Sequence, residues 1–491
     1  MNPKENSPIT AQKTVANLVW RFLERCGAQG VTLLVSIILA RLLDPETHGT
    51  IALVTVFTSI MQVFVNSGMG VALVQKKDAD TLDFSTVFYF NVVMGLVLYG
   101  LMFLAAPWIA AFYEMPELVP LVRVLSLTLV ISGLRNIQES YVSKQMIFKK
   151  FFFSTIGGTI FSAGVGIAMA YLGFGVWALV GQTLTNQAVT AVILWLTVPW
   201  RPTREFSAQR LKGLFSYGWK LLMSSLIDTV YNDLRSLIIG KKYSSEDLAF
   251  YNKGKQFPNL LVLNINTSID SVLLPAMSRE QSDIVRVQKM TRRAIRISSY
   301  CIWPLMVGLA VCGESLIRLV LTEKWLPCLP FMYVFCLTYA FQPIQTANLN
   351  AIKALGRGDL FLKLEIIKKA IGLIAILISM QYGVMWMAYS LVITSVISQF
   401  VNSYPNRKLL NYNYGRQLLD ILPSVLLAAV MGAAVYCVNF LGLSDILTLC
   451  IQVPLGAAIY LGLSWAVKLD SFLYVINILK GFLVKRKKTN H

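Results

Sequence analysis

Four stretches of this sequence carry polar side chains at helical spacing inside otherwise apolar surroundings. Arg21, Arg25 and Gln29, with Glu24 beside them, form the first, and Thr55, Ser59, Gln62 and Asn66 the second. Lys220, Ser224, Asp228, Asn232 and Ser236 form the third, with Asp233 and Arg235 adjoining. Asn252, Lys255, Asn259, Asn266 and Asp270 form the fourth, with Lys253 next to it. Steps of four residues place side chains on one face of a helix. A charge in the middle of a membrane helix costs roughly 2.5–3.5 kcal/mol, so such a face needs water or a partner. Guanidinium and ammonium groups bind phosphate oxygens, the first as a planar fork and the second as a point charge. Amide side chains beside them suit sugar hydroxyls. Arg21, Arg25, Gln29, Gln62, Asn66, Lys220, Asn232, Lys253, Lys255 and Asn259 are therefore the candidate substrate-binding residues. Glu24, Asp228 and Asp270 are the candidates for coupling to H+ or Na+. The plainer alternatives stay open: Arg21, Lys253 and Lys255 lie where a long side chain can snorkel to the headgroups, and Asp233 with Arg235 can be a purely structural pair. Tyr217, Trp219, Tyr231 and Tyr251 flank these rows and could stack on sugars, although membrane aromatics more often form interfacial belts.

Other chemistry is excluded early. The only histidines are His48 and His491, so a histidine metal site or a Ser-His triad has no material. The seven cysteines contain no C-x-x-C pair and read as buried thiols. No Gly-rich phosphate loop is present, so this chain does not hydrolyse ATP and no cofactor is expected. An enzyme acting on membrane glycans usually needs a large outward loop carrying catalytic residues, and every loop here is short. The expectation is a protein that is not an enzyme.

The elements that must position the polar rows follow from composition. Of 491 residues, 56% are hydrophobic and 14% charged, far less charge than a soluble domain carries. Apolar runs predict an all-α polytopic membrane protein with about fourteen transmembrane helices. They fall near 16–43, 47–67, 84–112, 119–139, 150–172, 176–198, 214–240, 247–276, 292–321, 328–352, 360–381, 384–406, 420–439 and 446–467. Pro258 is expected to kink or break the eighth. The net charge of +19 fits basic cytoplasmic loops rather than nucleic-acid binding. Lys76, Lys77, Arg201, Arg204, Arg407 and Lys408 fall on one side, while the other side has only Lys241, Lys242 and Lys324, so both termini are expected in the cytoplasm.

Trp20-Arg21 has an echo in Trp219-Lys220, about 199 residues and six helices later. Six-helix parallel repeats are a transporter architecture. The expected organisation is an N-terminal lobe over 1–212 and a C-terminal lobe over 213–410, enclosing a central cavity lined by the leading two helices of each. Two further helices follow over 411–467, then an amphipathic basic tail over 468–491.

Short segments add a resemblance. ILARLLDPETHGTIAL (Ile38–Leu53), NSGMGVALVQKKD (Asn66–Asp78), YLGFGVWALVGQ (Tyr171–Gln182), FYNKGKQFPN (Phe250–Asn259), LLPAMSR (Leu273–Arg279) and LTEKWLP (Leu321–Pro327) span nearly the whole chain. Together they resemble bacterial polysaccharide flippases, the colanic-acid exporter branch of the multidrug/oligosaccharidyl-lipid/polysaccharide exporter superfamily. The resemblance implies a multi-pass protein of the bacterial inner membrane that moves polyprenyl-pyrophosphate-linked oligosaccharide repeat units by alternating access. The product would be an exopolysaccharide, a capsule or a lipopolysaccharide O-antigen. It implies pyrophosphate contacts at Arg21 or Arg25 and at Lys253 or Lys255, and polymerase and glycosyltransferases as partners. The rivals are a drug/cation antiporter of the same superfamily, which would favour an acidic cavity, and a membrane glycan polymerase.

Overall fold

The computed structural model describes the backbone of residues 11–474 and of Ile476, with side chains from Gly27 onward except Ser268. The expected tail beyond Ile476, and the side chains of Arg21, Glu24 and Arg25, lie outside the described residues. Among those described, every regular element is helical. In order they are α1 (Ala11–Leu42), α2 (Pro45–Asn66), α3 (Met69–Gln75), α4 (Thr81–Tyr113), α5 (Leu118–Leu125), α6 (Leu127–Lys144), α7 (Phe148–Tyr171), α8 (Val176–Thr197) and α9 (Ala208–Lys242). The chain continues with α10 (Ser245–Arg279), α11 (Ile284–Val311), α12 (Gly313–Leu321), α13 (Leu329–Ala340), α14 (Gln342–Ala354), α15 (Gly358–Ser379), α16 (Val384–Leu409), α17 (Tyr414–Tyr436) and α18 (Asp445–Ala466). Short 3-10 turns at Glu323–Cys328 and Cys437–Leu441 complete it. By packing, the chain divides into two compact units, Met1–Ala249 and Phe250–His491. This division reflects which helices touch, whereas the six-helix repeat expected from sequence reflects chain symmetry; the two are separate partitions.

Eleven of these segments are long and apolar enough to cross a membrane. The expected fourteen also included α1, α9 and α15. The described apolar part of α1, Gly27–Leu42, is shorter; α9 is polar along much of its length, and α15 carries Asp359, Lys363, Glu365, Lys368 and Lys369. Two of these three are the helices that open the expected polar rows.

The apolar-run reading merged elements that the backbone separates. Residues 119–139 become α5 and α6, which meet at Ser126, and the stretch around 328–352 becomes α13 and α14. There Pro343 sits in the first turn of α14, where a missing N–H costs nothing. Pro258 goes the other way. It neither breaks nor ends α10, which runs through it to Arg279; membrane helices tolerate such prolines when neighbours satisfy the freed carbonyl. Asp420, expected at the edge of a span, lies inside α17.

Unit 1 is built around an aromatic core in which Phe84 and Phe88 of α4 meet Tyr141, Trp195 and Trp200. The break between α2 and α3 is local chemistry. Ser67 and Gly68 both take left-handed backbone angles (φ 47° and 67°), and a Cβ on Gly68 would stand 2.4 Å from the Gly218 carbonyl oxygen. Only glycine combines that angle with that approach. A capping box starts α4: the Asp80 carboxylate accepts from the Asp83 amide and Asp83 accepts from the Asp80 amide. The core of unit 2 joins Ile295, Ile344, Ala347, Ala351, Tyr412 and Ile421, from α11, α14, the loop after α16, and α17.

Candidate functional site

The row on α9 is the clearest feature of unit 1. Ser207 caps the helix, its hydroxyl accepting from the Arg210 amide at 3.4 Å. Leu214, Gly218 and Leu222 form the buried face, packed against α2, α3 and α4. Two residues further round, Lys220, Ser224, Asp228 and Asn232 are all exposed. Two residues are about 200° of helix, so the polar row lies opposite the packed face. The start of α9 is tied to α4 by charge. Asp83, whose side chain is wholly buried, accepts from Lys76 at 2.6 Å, and Arg210 lies 3.4 Å from it while also holding Asp80. Burial favours the neutral Asp80 carboxyl, but hydrogen bonds from Arg210 and the Asp83 amide, with the Arg210 charge, outweigh it and hold its pKa below the usual carboxylate value. At the other end Lys241 bonds Glu114 at 2.8 Å.

On α2 the expected row divides its labour. Thr55 donates to the Ile51 carbonyl at 2.7 Å, a local bond within the helix. Ser59 donates to Asp233 of α9 at 2.9 Å, stitching the two helices together. The amides further along point elsewhere: Gln62 donates to Asn66 at 3.3 Å, and Asn136 of α6 donates to the same Asn66 oxygen at 2.7 Å. This chain of amides opens onto a cleft of about 820 Å³ within unit 1, lined also by Glu139, Ser140, Ser143, Thr155 and Ser225. It offers hydroxyl, amide and carboxylate groups and is the kind of surface that hydrogen-bonds neutral sugar hydroxyls.

Sequence reasoning found Asn66 here and missed Asn136, Glu139, Ser140 and Ser143. The signal was present: the run Arg135-Asn136-Ile137-Gln138-Glu139-Ser140 is polar at helical spacing. The apolar run stops at 139, so hydropathy places these residues at a span end, whereas α6 continues to Lys144.

The row on α10 fares differently. Lys253 is 7% exposed, donates to Gln256 at 3.1 Å and lies 5.4 Å from the centre of the fully buried Trp325 ring. Here the ammonium packs against an indole face of the Glu323–Cys328 turn. Lys255 and Asn259 are half-buried. Asp270 accepts from Asn350 of α14 at 2.6 Å. In α1, Gln29 is half-buried. The structure thus bonds Gln62 to Asn66 and leaves Lys220, Asp228 and Asn232 exposed along α9. It sets Lys253 under an aromatic lid and Asp270 in a helix-to-helix bond. Further along, Asn348 is fully buried and bonds Gln417 and Asn406, and Gln345 bonds Ser395 at 3.2 Å. Those amides join helices rather than line a cavity. No cluster of metal-ligating side chains occurs among the described residues.

Comparison with known proteins agrees with this architecture. The profile of a family described as "Polysaccharide biosynthesis protein" matches residues 38–330. The teichuronic acid biosynthesis protein TuaB of Bacillus subtilis (strain 168) is 25% identical over 415 residues, 82% of this chain and 85% of that one. The succinoglycan biosynthesis transport protein ExoT of Rhizobium meliloti (strain 1021) is 23% identical over 356 residues, 72% of each chain. Among solved structures, the lipid II flippase MurJ in an inward closed conformation superposes with a TM-score of 0.73 at 16% identity, covering 93% of this chain and 99% of that one. The last likeness is one of fold. The profile match runs over more than half of the sequence and includes the Asp44-Pro45 turn, the Asn66–Asp78 segment and the Glu323-Lys324-Trp325 turn: the chain belongs to the polysaccharide biosynthesis protein family.

Proposed function

We propose that this protein is a flippase that carries polyprenyl-pyrophosphate-linked oligosaccharide repeat units across the bacterial inner membrane, by alternating access, to supply a surface polysaccharide. The observation that carries the reading is the face of α9. Four polar side chains at four-residue steps stay exposed, while Leu214, Gly218 and Leu222 on the opposite face are packed. A helix placed among apolar spans does not keep such a face in hydrocarbon, so it faces water and solute. The amide and hydroxyl groups of the cleft at Asn66 and Asn136 suit the glycan, and the cationic groups Arg21, Arg25 and Lys220 suit the pyrophosphate. Asp228, on the same exposed row, and Asp270, which accepts from Asn350, are the proposed coupling carboxylates for H+ or Na+. Both termini are proposed to lie in the cytoplasm, where the basic loops favour them. The protein acts by transport rather than catalysis, and a polymerase and glycosyltransferases are its proposed pathway partners.

The test is surface polymer in a strain lacking its own copy of the gene, complemented by Lys220→Ala or Asp228→Ala at matched membrane abundance. Loss of polymer with accumulation of lipid-linked repeat units inside the membrane supports transport. Wild-type polymer from both variants overturns the site.

A further inference from the structure

The face of α11 that points away from the core of unit 2 carries Lys289, Arg292, Arg293 and Arg296. These positions fall at steps of three and four, on one side of the helix, opposite the buried Val287, Thr291 and Ile295. With Asp470, Ser471 and Tyr474 from the segment after α18, they line a pocket of about 320 Å³.

The charges in this pocket do not cancel. Asp420 is fully engaged: Arg292 holds it through two bonds of 2.7 Å, Arg296 adds another of 2.9 Å, and the Tyr412 hydroxyl donates at 2.8 Å. Arg296 also reaches Asp470 at 3.3 Å. That consumes the two carboxylates. Lys289 and Arg293 bring two further cations, both exposed, and Arg293 lies over the Tyr474 ring at 4.7 Å.

The pocket lies where α11 changes from charged residues to an apolar run beginning at Ile297, and the neighbouring Trp465, Val467 and Leu473 expose apolar side chains. A ligand suited to both halves has an anionic head and an apolar body.

We propose that this pocket binds a phosphate oxyanion, supplied by the headgroup of an anionic phospholipid, and that the occupied site fastens the segment Asp470–Tyr474 to α11. The site is independent of the transport reading, because none of its residues belongs to the α9 row or to the cleft at Asn66.

The experiment uses the purified full-length chain. Native mass spectrometry reads binding of phosphatidylglycerol and of phosphatidylcholine, and thermal unfolding reads the effect of inorganic phosphate. Lys289→Gln with Arg293→Gln is the test variant, because it removes the two surplus cations and leaves the Asp420 network in place. Arg407→Gln with Lys408→Gln removes the same charge elsewhere in unit 2 and is the control. Basic residues near an anionic membrane contribute enough that losing two weakens binding about thirtyfold. The expected result is preferential binding of phosphatidylglycerol by the wild type and the control, and that loss in the test variant. Equal binding of both lipids, or an unchanged test variant, overturns the site. Protection by inorganic phosphate without preference for phosphatidylglycerol overturns the lipid as its source.

Discussion

Helices α9 and α17 begin alike and then diverge. Each is capped by a polar side chain that accepts from the amide of an arginine three residues on: Ser207 from Arg210, and Asn413 from Arg416 at 2.9 Å. Beyond the cap, α17 carries one acidic residue, Asp420, with a side chain 4% exposed and saturated by Arg292, Arg296 and Tyr412. The α9 helix carries a row of four polar groups that stays exposed along its length. A buried charge ringed by donors is architecture, since removing it strands its partners. An exposed polar row adds little to packing, and the role proposed for it is to meet solute.

Four measurements can break or sharpen that contrast. The largest effect belongs to Asp420→Ala. Taking the acceptor from the buried Tyr412 hydroxyl and from the two partly exposed arginines destabilises unit 2 by about 3 kcal/mol, read as a lower melting temperature in detergent. A variant that melts with the wild type would remove the architectural reading. Next is Gly68→Ala, which meets both a left-handed φ and the Gly218 carbonyl. A loss of about 2 kcal/mol is expected, together with weaker docking of α3 on α9, measured as faster proteolysis in the 66–75 segment.

On the α9 row the sign of the contrast reverses. Lys220→Ala and Asn232→Ala should melt within about 0.5 kcal/mol of wild type, as surface changes do. Yet they should lower glycan flux about tenfold, the loss of one hydrogen bond to a charged group. Normal flux from a stable, abundant protein would count against the row as a solute surface. The smallest effect concerns Asp80. Its folded pKa is depressed, so the stability it lends is fully present above the ordinary value of 3.8 and is lost as pH falls through the lower folded value. Because Asp80 and Arg210 are both partly exposed, the difference is under about 1 kcal/mol. On acidification the wild type should lose that much more stability than Asp80→Asn; parallel pH curves would show that the pair contributes nothing.

Much of this was legible in the residues. The helical class follows from apolar runs too long for strands, and the α9 row from strict four-residue spacing. The turn at Asp44-Pro45 is local as well, set by a proline that fixes its own backbone angle. What escaped had a different origin. The polar end of α6 was hidden because hydropathy locates the apolar part of a helix, while the helix itself continues as long as its backbone bonds do. The Asp420 network was hidden because its members are 124 and 128 residues apart, and no local pattern links an arginine pair in one helix to an acid in another.

Lys220 and Lys253 show where the division lies. Lys220 belongs to a polar row at helical spacing and Lys253 adjoins one, and the sequence alone established that each stands on a helix carrying amide and carboxylate side chains. Only the tertiary structure decided that Lys220 stays exposed while Lys253 ends beneath Trp325. Spacing sets which side chains share a face, because helix geometry is local. What comes to cover that face is set by residues far along the chain, through packing that exists only once the chain has folded.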